Sequence, residues 1–117
     1  MTVYNAIGWE GMLFAVLACG MCVGCLVPNS WLPPLPNDKF LHFAGYGLLS
    51  ALALRLAHGR SEAGWWLFGL LVAGCVIECL QALVPERRFC WRDIGANAAG
   101  IAFAAAGAQV IALIVRN

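Results

Sequence analysis

Charged side chains are scarce. They make up 11% of the 117 residues, leave a formal net charge of +1, and include no Lys or Arg before Lys39. With no basic stripe to neutralise phosphates, nucleic acid is excluded as a partner. The missing early cations also weigh against a secretory signal peptide, whose first segment is basic. They weigh equally against reading Val16-Leu17-Ala18-Cys19 as a lipoprotein cleavage box. Histidine is rarer still, with two residues, His42 and His58. Neither is near Cys19, Cys22 and Cys25, whose C-x2-C-x2-C spacing otherwise suggests metal. On an apolar helix without a nearby histidine, those thiols read as small hydrophobes, and no disulfide framework emerges. We therefore expect no metal and no cofactor.

What is abundant is apolar surface. The chain is 62% hydrophobic, with a mean hydropathy of +0.81. A body this small cannot hide that much apolar surface in its own interior, so lipid must be its solvent. Four apolar runs, at about 11–27, 40–57, 64–84 and 94–115, are each near the length that spans a hydrocarbon core. The fold class expected is all-α: one domain, a bundle of four transmembrane helices in antiparallel up-down order. Residues 1–10 read as a tail with Trp9 at an interface. Residues 28–37 are too rich in proline for a helix interior and read as a stiff loop anchored by Trp31. Asn37 or Asp38 offers an N-cap for the second helix. The short connection at 59–63 forms a hairpin, and Trp65-Trp66 opens the third run at an interface.

Two small-residue patterns suggest close helix contact. One is the Gly20–Gly24 step; the other is the stripe of Ala96, Gly100, Ala104, Ala108 and Ala112. Either also offers a face to a second copy of the chain. Four spans put both termini on one side, with the proline loop and the basic turn at 85–92 on the other. Arg55, Arg60 and Arg116 nearly balance Lys39, Arg87, Arg88 and Arg92. Discounting cations that pair with Asp38, Glu86 or Asp93 leans the termini toward the cytoplasm.

The few polar residues in the apolar runs are informative because each is expensive there. Asp38 and His42 stand i, i+4 on one face of the second helix, with Lys39 and Tyr46 on adjacent ridges. Glu78 lies seven residues before Pro85, roughly 10 Å along the axis, with Gln81 on the same side. Asp93 and Asn97 repeat the i, i+4 spacing at the start of the fourth helix, with Gly100 one turn further. Capping explains Asp38 and Asp93 individually. It does not explain why six or seven polar residues converge on one mouth.

The order Asp38-Lys39-x-x-His42-Phe43-x-x-Tyr46-x-x-Leu49, then Glu78-x-x-Gln81, Pro85-x-Arg87 and Asp93-x-x-x-Asn97-x-x-Gly100 resembles the VanZ-like family of small bacterial membrane proteins. The resemblance covers residues 38–100, and the family is named for a protein linked to teicoplanin resistance. It implies a multi-pass protein of the bacterial cytoplasmic membrane acting on or near the cell envelope. It also implies a site of Asp38, Lys39, His42, Glu78, Gln81, Arg87, Asp93 and Asn97.

Three functions compete. In the first, Arg87 and Lys39, with Arg92, hold the phosphate of a membrane lipid or lipid-linked envelope precursor while Glu78, Gln81 and Asn97 orient the rest. In the second, a membrane hydrolase or transferase uses His42 or Glu78 as general base and Asp38 or Asp93 to orient the histidine. That reading lacks a nucleophile, since Ser30, Ser50 and Ser61 fall outside the motif and nothing marks Cys90 as activated. A metal held by His42, Glu78 and Asp93 finds no support in ligand spacing. In the third, the polar groups only hold helices together, although such bonds contribute merely about 0.6–2 kcal/mol each.

Overall fold

The computed structural model describes residues 3–33 and 38–116, with side chains described from Gly8 onward. Four α-helices follow one another: α1 Val3–Leu26, α2 Asp38–Leu56, α3 Arg60–Gln81 and α4 Trp91–Arg116, with a 3-10 turn at Asn29–Trp31. The expected capping residue Asn37 lies outside the described residues, as do residues 34–36 of the proline-rich loop.

The helices begin and end for local reasons. Gly59, at φ +101, takes the left-handed turn that releases the chain from α2 into α3. At the other end α3 tightens: Leu83 N–H reaches Leu80 O at 3.0 Å and Val84 N–H reaches Gln81 O at 3.0 Å. Pro85 has no N–H to continue the ladder, so the helix stops at Gln81 rather than at residue 84. The start of α1 differs more. Residues 3–10 belong to the helix, not to a tail. Glu10 tolerates that position because Arg55 of α2 grips both its oxygens, Nε to Oε2 at 2.8 Å and Nη2 to Oε1 at 2.9 Å.

The interior is small and polar. Among the described residues the buried hydrophobics are Tyr46, Leu49, Leu52, Ala53 and Leu70, whereas Glu10, His42, Ser50, Glu78, Gln81, Asp93 and Asn97 are buried too. Phe14 and Trp66 close one end of the core edge to face, with centroids 5.3 Å apart. Met12, Val16, Phe68, Phe103 and Val115 face outward. A water-soluble domain has the opposite distribution.

α2 is the inner helix. Its neighbours advance in register: His42 meets Asn97, and Gly47 meets Gly100, so α2 and α4 run side by side in the same direction. Met21 lies at Gly45 while Glu10 lies at Arg55, so α1 runs against α2. Gly100 is where α2 and α4 touch through their backbones. A Cβ there would run into the Phe43 carbonyl oxygen and lie 2.9 Å from the Gly47 nitrogen.

The rest of the small-residue pattern does less inside the molecule. Ala108 and Ala112 are exposed, and a Cβ at Gly20 or Gly24 would meet nothing within 4 Å. Three helical segments, Gly8–Leu26, Arg60–Gln81 and Trp91–Arg116, are long and apolar enough to cross a membrane. At 19 residues α2 falls short of that standard because Asp38, Lys39, His42 and Arg55 all lie in it.

Candidate functional site

The polar residues gather where α2 and α4 begin and α3 ends. His42 is buried, and its Nδ1 lies 2.9 Å from Asn97 Oδ1. An amide oxygen only accepts, so Nδ1 carries the hydrogen and donates. Asn97 Nδ2 then points toward Gly74, where an added Cβ would lie 2.9 Å from it and 3.1 Å from the Tyr46 hydroxyl. The absence of a side chain at Gly74 makes room for that pair.

The other histidine nitrogen, Nε2, faces two carboxylates, at 3.8 Å from Asp38 Oδ1 and 3.7 Å from Asp93 Oδ2. Both distances exceed a hydrogen bond. Lys39 Nζ sits 2.6 Å from Asp93 Oδ1 and 3.5 Å from Asp38 Oδ2. The buried Asp93 carboxylate is thus neutralised by Lys39 on one edge, and its other oxygen faces His42 without a hydrogen bond. It also stands in the first turn of α4, where the helix dipole favours an anion.

Glu78 approaches from α3. Its Oε2 accepts the Cys90 backbone N–H at 3.1 Å, tying the turn to the helix that precedes it. Its Oε1 is buried without a hydrogen-bond partner among the described residues, as is Gln81 Oε1. Both residues point inward, with Glu78 1% exposed and Gln81 4% exposed.

Arg87 stands apart from this arrangement. Its Nε donates to Val27 O at 3.1 Å, its Nη1 to Asn29 Oδ1 at 2.7 Å, and its Nη2 to Gly24 O. Gly24 and Val27 offer backbone carbonyls left open by the end of α1, and Asn29 adds its side-chain amide oxygen, so Arg87 caps that helix and pins the turn to it. Beside it, Glu86 sits at φ 70 and accepts from Ser30 through its hydroxyl at 2.7 Å and its backbone N–H at 3.1 Å. The Ser30 hydroxyl first, and its N–H second, hold the Glu86 carboxyl below the usual carboxylate range.

A cavity of about 620 Å³ opens over this cluster, walled by Asp38, Lys39, Gln81, Arg87, Arg88, Cys90, Arg92 and Asp93 among others. Asp38, Lys39, His42, Glu78, Asp93 and Asn97 are therefore brought together as expected. Gln81 reaches the cavity wall, and Arg87 reaches it with most of its donors committed to α1. Sequence reasoning missed the Ser30–Glu86 clasp and the Glu10–Arg55 pair, and it gave Tyr46 no place in the site. Tyr46 had a signal, its ridge position one turn beyond His42.

An all-helical chain with apolar flanks and a buried polar cluster fits one class, the helical membrane proteins. Within that class, the family described as VanZ/LLP1 matches residues 9–114, nearly the whole chain. The chain belongs to that family. No curated protein and no solved structure matches it.

Proposed function

We propose that the cavity binds the anionic headgroup of a membrane lipid or lipid-linked envelope precursor, with all four helices crossing the bacterial cytoplasmic membrane. The observation that carries this reading is the cationic wall. Arg88 and Arg92 are exposed, border the cavity, and have no ion-pair partner among the described residues. A phosphate or pyrophosphate would supply that partner, since the guanidinium fork matches its oxygens two at a time. Lys39 would lend its remaining donors from the cavity floor, and Arg87 would hold the wall in place. The apolar outer faces of α3 and α4 give the acyl or prenyl tail a surface continuous with the headgroup. The termini would face the cytoplasm and the cavity the envelope, the side where a role related to glycopeptide resistance would be exercised.

A hydrolase or transferase is less well supported by the same geometry. His42 stands beyond hydrogen-bond distance of both carboxylates, and its Nδ1 is occupied by Asn97. The Ser30 hydroxyl is spent on Glu86. Mass spectrometry of co-purifying lipids tests the binding reading. Anionic lipids should be depleted from an Arg88→Ala/Arg92→Ala protein relative to wild type. Identical lipid complements would end the proposal.

A further inference from the structure

We infer that Asp38, His42 and Asp93 form a divalent-cation site at the floor of the cavity. One ligand atom from each, a carboxylate oxygen from the two acids and Nε2 from the histidine, lies within 4.8 Å of the others. The two histidine–carboxylate separations, 3.8 and 3.7 Å, are too long for hydrogen bonds. They are a few tenths of an ångström wider than the ~3.0–3.5 Å between ligands that share a cation at about 2.1 Å. The two carboxylate oxygens, within 4.8 Å of each other, must also approach, and Asp38, 47% exposed at its side chain, is free to make that move.

Three further features point to a cation rather than a chance cluster of acids. The first is the histidine tautomer. With Nδ1–H donating to Asn97 Oδ1, the ring turns Nε2 toward two carboxylate oxygens, and in its neutral form it presents a lone pair to the space between them. Metal-bound histidines are held in this way, by a hydrogen bond from the nitrogen that does not bind the ion. The second is Glu78, 1% exposed, whose carboxylate abuts that of Asp93 and whose Oε1 has no hydrogen-bond partner among the described residues. It lies outside the group of three ligands and supports Asp93 from behind. The third is charge. With all three carboxylates ionised, Lys39 offsets one of three negative charges, and two remain for a divalent ion to cancel. Lys39 holds Asp93 by Oδ1 and leaves Oδ2, on the His42 side, available.

Two carboxylates and one imidazole suit Mn²⁺, Fe²⁺ or Zn²⁺. The site is independent of what lipid the cavity holds, because its test contains none.

The probe is Mn²⁺ alone, followed by electron paramagnetic resonance on the full-length protein in detergent after chelator treatment. The six thiols bind this ion poorly and will not mask the site. Wild type should bind one Mn²⁺ per chain saturably. Asp38→Asn and His42→Gln should each weaken binding by about tenfold or more, and Glu62→Gln, at the far end of α3, should leave it unchanged. Asp38→Asn alters an exposed side chain, so it carries the test even if His42→Gln misfolds. Two results would overturn the inference. One is wild-type protein of native circular dichroism that shows no saturable binding, as a proton shared by Glu78 and Asp93 would produce. The other is Asp38→Asn binding Mn²⁺ as tightly as wild type.

Discussion

Gly100→Ala is the smallest change that should pull the site apart. The added methyl would meet the Phe43 carbonyl oxygen and lie 2.9 Å from the Gly47 nitrogen, both backbone atoms on the central helix. No rotamer change relieves a backbone clash, so α4 must move off α2. Overpacking typically costs about 1–3 kcal/mol, and rigid neighbours place this case at the upper end. Replacing a helical glycine returns roughly 0.5–1 kcal/mol, leaving a net loss of about 2 kcal/mol. The displacement would also stretch the 2.9 Å bond from His42 to Asn97, one turn away on the same helix face. Gly95→Ala is the matched control, because a Cβ there meets nothing within 4 Å. Unfolding by denaturing detergent, followed by circular dichroism, reads both proteins. Gly95→Ala should equal or exceed wild type while Gly100→Ala falls below it. A Gly100→Ala protein as stable as Gly95→Ala would refute the close approach of α2 and α4.

Other substitutions separate the roles of neighbouring residues. Arg87→Ala should destabilise by about 2–4 kcal/mol through the α1 carbonyls it abandons, and Arg87→Lys should recover little, since an ammonium cannot reproduce the fork; equal stability of all three proteins by thermal unfolding would remove its capping role. Glu78→Ala should cost about 1–3 kcal/mol by orphaning the Cys90 N–H, whereas Glu78→Gln keeps an acceptor and should stay near wild type in the same assay. The Glu86 carboxyl, held low by Ser30, makes the clasp pH-dependent. Its contribution is complete above the unfolded value near 4.5 and fades as pH falls through the lower folded value. Carboxyl NMR should show Glu86 titrating below the usual range in wild type and returning to it in Ser30→Ala; an unchanged titration would sever the link. For orientation, Cys90 on the cavity wall should react with a membrane-impermeant maleimide in intact cells lacking the other cysteines, and protection until lysis would place the cavity in the cytoplasm.

Much of this was legible in the sequence because polar residues within apolar runs have few innocent explanations. Asp38, His42, Glu78, Asp93 and Asn97 could be assigned to one end of the bundle from helix order and i, i+4 spacing. What stayed hidden depends on partners far along the chain. Ser30 and Glu86 are 56 residues apart and Glu10 and Arg55 are 45 apart, and no local pattern links either pair. Residues 1–10 read as a tail because the stretch is short and polar, and Arg55 is what admits Glu10 to the helix. Arg87 had the chemistry of a phosphate ligand, but the open carbonyls of α1 recruit it first. The small-residue stripe of α4 looked uniform, although Gly100 meets the backbone of α2 while Ala108 and Ala112 are exposed.

The most direct test of the headgroup proposal compares farnesyl phosphate with farnesol, which differ only in the anionic group. Binding to the purified protein can be followed through Trp91, exposed on the cavity wall. The phosphate should bind saturably, weaken with salt, and lose affinity in Arg88→Ala/Arg92→Ala, while farnesol binds at least about tenfold more weakly. Equal affinity for the two compounds would contradict a site built around an anion.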